Sequence, residues 1–224
     1  HEVDFAHSDA LTAADHLMTF KMTTKSIAKR HGLHATFMPK PKGDDYGSGM
    51  HLFMSLTGPD GEDAFADPSD SIGLSQVAYS FIAGILAHMP GMTAILNPLV
   101  NSYKRFVPGY EAPVSLTWSA NFRDSLIGIP RRRDGKTLIE LRSPDGTMNP
   151  YLAFAVLLAA GLEGVEKGLK PPAPIGQSLA RRDRVELSEL NLSLLPMSLG
   201  DAVEAMNQDE FVKEVLGEHI AKTY

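Results

Sequence analysis

The spacing of apolar residues along the chain predicts five helices. The first can be capped by Ser8 or Asp9, and its broken apolar stripe runs to about Arg30 before a stop at Gly32. The second is apolar on nearly all sides, which is typical of a buried helix. The third helix is the clearest, with Asn149 as its N-cap and a proline at its first position. After the first helix, the predicted helices span Leu74–His88, ended by Pro90-Gly91; Pro150 to Lys167-Gly168; Asp201–Asn207; and Glu210–Lys222.

Short stretches of extended character predict strands at Ala35–Met38, Met50–Thr57, Leu116–Ser119, Ser125–Ile129 and Thr137–Arg142. Because side chains alternate along a strand, His51, Phe53 and Ser55 share one face. For the same reason Glu140 and Arg142 point the same way. Two stretches have no regular period: Leu169–Pro174, a linker, and Ile175–Pro196, which is irregular. Strand pairs mixed with helices, without a regular β-α-β rhythm, favour an α+β fold with a largely antiparallel sheet.

Composition narrows the class of protein. A chain of 224 residues with 43% hydrophobic and 21% charged residues is ordinary for a soluble globular protein. Its net charge of −6 gives no reason to expect nucleic acid or an anionic membrane as partner, and the absence of cysteine excludes disulfides and thiolate metal sites. The longest apolar run, Tyr151–Leu162, is shorter than the roughly 20 residues that span a membrane. We therefore expect a cytoplasmic protein. The opening His1-Glu2, without an initiator Met, predicts a piece of a longer chain.

The segment Asn101–Pro113, N-S-Y-K-R-F-V-P-G-Y-E-A-P, carries candidate chemistry without a helical or strand period. Its Pro-Gly pair forces a turn that would hold Glu111 at a fixed distance from Lys104 and Arg105. That arrangement suits a carboxylate presented to a substrate whose anionic parts meet the two cations. A solvated surface loop is the alternative interpretation of the same residues.

Three further motifs give this segment a family context: P-K-P-K-G-D-D-Y-G-S-G-M-H at Pro39–His51, I-E-L-R-S-P-D at Ile139–Asp145, and N-P-Y-L-A-F-A from Asn149. With them the chain resembles the glutamine synthetases, and more closely the C-terminal part of the bacterial class I catalytic domain. The resemblance implies an α+β fold whose curved, largely antiparallel sheet is packed by helices. It also implies that residues 1–224 lack the family's N-terminal β domain and the first part of the catalytic domain.

The activity implied by this resemblance is ATP-dependent amidation of the γ-carboxylate of L-glutamate by ammonia, through γ-glutamyl phosphate, as in glutamine biosynthesis and nitrogen metabolism. The family works as a homo-oligomer, a dodecamer of stacked rings whose active sites lie between neighbouring subunits. The chain alone would hold about half of a site, so we expect it to be inactive by itself.

The resemblance also assigns site residues. Two Mg²⁺ or Mn²⁺ ions would be bound, one by His51 and Glu140 and the other by Glu2. Hard divalent cations prefer carboxylate oxygens, which one imidazole can join. Taken alone, a histidine on such a strand is more often packed or solvated.

Substrate contacts follow from the same resemblance. Arg105 and Arg142 would bind the carboxylates of glutamate, and Gly47 would contact the amino acid through its backbone. Surface salt bridges are the alternative role for the arginines.

The catalytic and nucleotide roles fall on three other residues. Glu111 would close the site as a flap and take a proton from ammonium, Arg123 would stabilise the transferred phosphate, and Ser55 would contact ATP.

The chain also departs from the family pattern. Tyr46 stands where an asparagine is usual and Phe53 where a second histidine is common, while Gly128 and Leu138 replace arginines that would face ATP phosphates. Losing two guanidiniums should weaken ATP binding or transition-state stabilisation unless other cations compensate. Arg131, Arg132 and Arg133 lie nearby, although a solvated turn is their more common role.

These departures leave two alternatives open: a ligase joining glutamate to a larger amine, and a catalytically impaired homologue with a binding or regulatory role. Val185 in place of the modified tyrosine of some members argues against control by adenylylation.

Overall fold

The computed structural model describes residues 2–107, 112–130, 135–179, 182 and 184–224, without the side chains of Arg184 and Ser188. Within these residues the elements are α1 (Ala10–Arg30), β1 (Leu52–Met54), α2 (Gln76–Leu96), a 3₁₀ turn (Ser102–Arg105), β2 (Trp118–Ser119), β3 (Ile127–Gly128), β4 (Ile139–Leu141), α3 (Pro150–Glu166), α4 (Arg184–Glu189), α5 (Leu199–Gln208) and α6 (Glu210–Thr223).

Capping residues begin the helices where the sequence predicts them. The Asp9 side chain accepts a hydrogen bond from the backbone N–H of Thr12 at 3.0 Å and starts α1. Asn149 does the same for α3, accepting from Tyr151 N–H at 3.0 Å. Gly168, with φ of +59°, follows the end of α3 in a conformation that favours glycine.

Helix α2 does not end at Pro90-Gly91, and the sequence-based prediction of its end was wrong. The helix continues through Pro90 to Leu96. Met89, Met92 and Ile95 flank the proline and are fully buried. Burial of these side chains outweighs the backbone hydrogen bond that a proline removes.

The sheet is small and open, with strand order β1-β4-β3-β2. β4 pairs antiparallel with both β1 and β3, and β2 pairs parallel with β3. The register sets Glu140 opposite Phe53 on one side and opposite Gly128 on the other. The α+β prediction is confirmed, with two of the three strand pairings antiparallel.

Two local predictions failed. Ala35–Met38 is not a strand, and a short helix, α4, lies inside the stretch Ile175–Pro196 that was expected to be irregular. A strand exists only by pairing, and Met38 N–H donates instead to the Thr36 hydroxyl at 3.1 Å. Leu187 of α4 is 1% exposed, so burial of this side chain accounts for a helix that the local pattern did not indicate.

The core is organised by close contact between α2 and α3. A Cβ added at Gly84 of α2 would lie 2.0 Å from the carbonyl oxygen of Ala160, and one at Gly164 of α3 would lie 2.2 Å from that of Ser80. The two backbones therefore touch without side chains between them. Of the described helices, α2 alone is long and apolar enough to cross a membrane, but 78% of that apolar window is buried inside the fold.

Replacing Gly84 with alanine should destabilise the protein by about 1–3 kcal/mol or more, because the new methyl group overlaps backbone atoms that cannot move independently. Urea unfolding monitored by circular dichroism measures this loss. Gly176→Ala is the matched control, since a Cβ there meets nothing within 4 Å. Equal stability of the two variants would contradict the helix contact.

A histidine one turn after Gly84 joins three helices. His88 Nε2 lies 2.8 Å from a carboxylate oxygen of Glu163 in α3, and its Nδ1 lies 3.0 Å from one of Asp209, the N-cap of α6. Its ring stacks on Phe211, with centroids 4.2 Å apart. Lys167 donates to the second oxygen of Glu163 at 2.6 Å. The charged cluster therefore ties α6 to the α2–α3 pair.

The contact of α6 with α2 and α3 should be sensitive to acid because it depends on Glu163. Burial opposes its ionisation, but hydrogen bonds from Lys167 and His88 outweigh burial and lower its pKa below the ordinary 4.5. The ionised Glu163 therefore stabilises the folded protein above pH 4.5, and this stability is lost as the pH falls through the folded-state pKa. We expect Glu163→Gln to lower Tm at pH 7 by roughly 2–4 °C, which corresponds to about 1 kcal/mol, with the difference shrinking below pH 4.

Differential scanning calorimetry at both pH values measures this change. Glu218→Gln is the control, because Glu218 pairs with Lys222 on the surface at 81% exposure and should change Tm little. A Tm difference for Glu163→Gln that stays constant from pH 7 to below pH 4 would contradict the assignment.

Candidate functional site

The register of β1 and β4 brings His51 to Glu140. Phe53 lies opposite Glu140, so His51, two residues earlier, projects from the same face of the sheet. Its Nδ1 donates to Glu140 Oε1 at 3.0 Å. The His51 side chain is 32% exposed and that of Glu140 is 12% exposed. Two side chains, one directly before β1 and one in β4, predicted as a pair from the family resemblance, are thus in contact and partly accessible.

Arg142 completes this cluster. Its Nη1 donates to the same oxygen, Glu140 Oε1, at 3.0 Å, as the shared strand face predicts. Burial disfavours the charged form of Glu140, but the hydrogen bond from His51 and the charge of Arg142 outweigh it, so the Glu140 pKa is lowered. The Nε of Arg142 is buried and has no hydrogen-bond partner among the described residues. Glu140 is therefore ionised at neutral pH, and one donor of Arg142 is unused.

Arg105 is held beside this cluster by the segment Pro39–His51, called the glycine-rich loop below. Its side chain is 5% exposed, and its Nη1 donates to the carbonyl oxygen of Ser143 at 2.9 Å, next in the chain to Arg142. A Cβ at Gly47 would lie 2.8 Å from Arg105 Cγ, and one at Gly49 would lie 2.6 Å from Arg105 Nη2. Both glycines are therefore needed for the guanidinium to fit. Gly47 and Arg105, predicted separately, belong to one packed unit.

Asn101 fixes the other end of the same loop. Its Oδ1 accepts from Lys40 N–H at 2.7 Å, and its Nδ2 donates to the Lys40 carbonyl at 3.0 Å. Sequence reasoning missed this role, although Asn101 begins the motif that carries Arg105. A polar residue at that place gave no indication of a partner 61 positions away.

The two departures Gly128 and Leu138 lie close to Glu140. Gly128 is the cross-strand partner of Glu140, and a Cβ there would be 3.2 Å from Glu140 Oε2. Leu138 precedes Glu140 by two residues on the same strand face and is 6% exposed. An arginine at either position would start beside the carboxylate, so the face is less cationic than two more arginines would make it.

The remaining predicted site residues are more scattered. Ser55 lies on the His51 face of the strand and contacts His7, with 3.3 Å between Oγ and Nε2. His7 is a neighbour that sequence reasoning missed. Arg123 and Glu2 are exposed. Glu111 lies outside the described residues.

A divalent cation fits the chemistry of part of this cluster. A carboxylate oxygen and an imidazole nitrogen are both acceptable donors, and Glu140 Oε2 is not engaged by Arg142. In the part of the chain that the structure describes, no group of three or more His, Asp or Glu side chains could hold a metal ion. The described residues therefore supply two ligands, and an ion bound there would need others.

The two arginines suit an anionic ligand. Guanidinium groups bind carboxylates and phosphates with paired hydrogen bonds, and Arg105 and Arg142 flank one residue, Ser143. A carboxylate–imidazole pair lies beside them and can share a cation with the ligand. This combination of anion-binding and cation-binding groups is typical of phosphoryl-transfer and acyl-activation sites.

Comparisons with known proteins show which family this chain resembles. Residues 1–224 match the family profile described as glutamine synthetase, catalytic domain. A glutamine synthetase of Clostridium saccharobutylicum is 52% identical over 223 residues, covering 100% of this chain and 50% of that protein. One of Thermus thermophilus is 51% identical over 220 residues, covering 98% of the chain and 49% of the relative. The chain spans about half the length of the curated relatives it matches.

Two solved structures superpose closely on this chain. A structure described as the GmaS/ADP complex, conformation 1, superposes with a TM-score of 0.87 at 39% identity, covering 97% of this chain and 50% of that one. Apo GmaS without ligand superposes with a TM-score of 0.82 at 38% identity, covering 96% and 48%.

Replacing Gly47 with alanine should push Arg105 off the Ser143 carbonyl, because the new methyl group would overlap Arg105 Cγ and the backbone oxygen of Pro39. We expect a loss of about 1–3 kcal/mol in the free energy of unfolding. Gly43→Ala in the same loop is the control, as a Cβ there has nothing within 4 Å. If both variants unfold at the same urea concentration, the packing described here is wrong.

Proposed function

The chain belongs to the glutamine synthetase family, and from this premise we propose that the protein amidates the γ-carboxylate of L-glutamate with ammonia in an ATP-dependent reaction. The observation that carries the proposal is the cluster of His51, Glu140 and Arg142, with Arg105 anchored on the adjacent Ser143 carbonyl. It offers two guanidiniums for an anionic amino acid and two ligands for a cation that ATP chemistry requires.

Glutamate binding falls to Arg105 and Arg142. Each guanidinium can donate two parallel hydrogen bonds to a carboxylate, and burial strengthens such pairs by excluding water. The buried and unpartnered Nε of Arg142 is a donor ready for a ligand oxygen. The backbone at Gly47, packed on Arg105, would contact the amino acid.

The reaction has two steps. An oxygen of the γ-carboxylate attacks the γ-phosphorus of ATP, the bond to the bridging oxygen breaks, and ADP leaves. Arg123 stabilises the charge of the transferred phosphoryl group, and Ser55 contacts the nucleotide. Ammonia then attacks the acyl carbon of γ-glutamyl phosphate, inorganic phosphate leaves, and the proton lost from ammonium passes to Glu111. The GmaS relative, whose structure is described as an ADP complex, supports nucleotide binding here.

Mg²⁺ or Mn²⁺ would be held by His51 and Glu140, with Glu2 as a ligand to a second ion. When bound, these ions neutralise negative charge on the phosphates and on the γ-carboxylate. Arg142 keeps Glu140 ionised and fixes its orientation through the hydrogen bond to Oε1.

The whole protein should be a homo-oligomer, for which we propose the family's dodecamer, and should function in the cytoplasm. Because the chain spans about half of its relatives and supplies two metal ligands at the His51–Glu140 pair, we propose that residues 1–224 alone form an incomplete and inactive site. The missing ligands would come from the rest of the polypeptide and from a neighbouring subunit.

Gly128 and Leu138 favour a second candidate, a ligase that joins glutamate to an amine larger than ammonia. Gly128 removes a cation from the place beside Glu140 Oε2, where even a Cβ would lie 3.2 Å from that oxygen. Leu138 adds a buried apolar side chain on the same face. Relatives about 50% identical are named glutamine synthetase, which supports ammonia as the first candidate.

Phosphate release by the full-length protein tests the proposal. With ATP, Mg²⁺ and glutamate, turnover that requires ammonium supports glutamine synthesis. Turnover with methylamine or larger amines, but not with ammonium, would establish the second candidate in its place. An assembled, folded protein that releases phosphate with none of these amines would be the impaired homologue.

Replacing Glu111 with alanine should abolish amide formation in the full-length protein, because no carboxylate would remain to take the proton of ammonium. Product formation is measured by mass spectrometry, with ATP binding measured separately. Glu218→Ala, a change at an exposed residue of α6, is the control. Unchanged amide synthesis would remove Glu111 from the mechanism.

A further inference from the structure

A buried carboxylate lies behind Arg105 and takes no part in the proposed reaction. Asp145 follows Arg142 by three residues and is 0% exposed. Its Oδ1 accepts hydrogen bonds from the backbone N–H of Thr147, at 2.9 Å, and from the Thr147 hydroxyl. Placing an ionised group in the interior is costly unless its hydrogen bonds are satisfied, so a residue kept there needs a physical reason.

The second oxygen of Asp145 sets the orientation of a buried amide. Asn97, at the C-terminal end of α2 and 0% exposed, donates from Nδ2 to Asp145 Oδ2 at 3.1 Å. A carboxylate can only accept hydrogen bonds, so the amide must turn its amino group towards Asp145. The same amino group then donates to the carbonyl oxygen of Ser143 at 2.9 Å.

That carbonyl oxygen is also the acceptor for Arg105. Arg105 Nη1 and Asn97 Nδ2 each lie 2.9 Å from Ser143 O, so one acceptor joins the two side chains. The segment that carries it is pinned on both sides. Asp145 N–H donates to Leu96 O at 3.3 Å, and Met50 N–H donates to Pro144 O at 2.9 Å. The position of the Ser143 carbonyl therefore depends on Asp145 through side-chain and backbone bonds.

The negative charge of Asp145 also stabilises Arg105 in its buried position. Burial disfavours the charged form of Arg105 and lowers its pKa, while the negative charge of Asp145 opposes that shift. The carboxylate thus stabilises the guanidinium electrostatically, while the hydrogen bond of Arg105 Nη1 goes to the Ser143 carbonyl.

We propose that Asp145 is a positioning residue for substrate binding: through Asn97 and the Ser143 carbonyl it fixes the Arg105 guanidinium against the glycine-rich loop. The inference rests on the proposed function, in which Arg105 binds a carboxylate of glutamate. Asp145 itself does not touch the substrate.

The variant Asp145→Asn tests the proposal in the full-length protein. It keeps the shape of the side chain but gives it an amino group, so that hydrogen bonds from Thr147 and Asn97 cannot all be retained. We expect KM for glutamate to rise about tenfold, KM for ATP to change less than about twofold and kcat to change less than about threefold. Asn97→Ser breaks the same connection and should act in the same direction if Asp145→Asn does not fold.

A chemical readout separates this proposal from the proposed function. Phenylglyoxal modification of Arg105, followed by peptide mass spectrometry, reports how firmly the guanidinium is held, and the exposed Arg30 of α1 is the internal reference. Asp145→Asn should raise the rate at Arg105 about threefold or more and leave Arg30 unchanged. Asp70→Asn is the matched control, since Asp70 accepts backbone hydrogen bonds from Ile72 and Leu74 in a different loop.

The outcomes are distinct. A wild-type protein without glutamate-dependent turnover overturns the proposed function, and faster modification at Arg105 then still supports the positioning role. In an active protein, an unchanged modification rate or an unchanged KM for glutamate overturns the inference. So does an equal rise in KM for ATP and for glutamate. In an Arg105→Lys background, Asp145→Asn should add nothing further to KM, and additive effects would contradict action through Arg105.

Discussion

A buried guanidinium is the constraint on which the site depends. Arg105 is almost completely removed from water, and a charged group in that position must be surrounded by acceptors and by a compensating charge. The Ser143 carbonyl supplies the acceptor and Asp145 the charge. Gly47 and Gly49 are glycines because the arginine fills the space that their side chains would take. The glycine-rich loop, β4 and α2 are thereby fixed relative to one another.

The helical core carries that arrangement. α2 reaches the site because it continues past Pro90, and its last turn provides Leu96 and the cap Asn97, both bonded to the segment that follows β4. Its close contact with α3 at Gly84, near the middle of the helix, holds it in place. Without the extra turn beyond the proline, Asn97 could not orient the Ser143 carbonyl. Packing far from the cluster therefore determines where Arg105 lies.

Sequence patterns predicted most helices, because these follow from local capping and apolar spacing, and the family resemblance predicted the pairing of His51 with Glu140. They did not predict that α2 passes through Pro90, because the packing that offsets the lost hydrogen bond is a property of the whole fold and not of the local sequence. They also assigned a strand at Ala35–Met38, where the pattern exists but no described strand pairs with it. Asn97 and Asp145 were missed as partners, because 48 residues separate them and no local signal joins them.

The central claim is that His51 and Glu140 present one face of the sheet to a divalent cation beside the two arginines. Electron spin-echo spectroscopy of Mn²⁺ bound to the full-length protein with ATP and glutamate tests it most directly. The account predicts modulation from an imidazole nitrogen that disappears in His51→Ala and persists in His16→Ala, a change at an exposed residue of α1. Absence of imidazole modulation in the wild type, or its persistence in His51→Ala, would contradict the account.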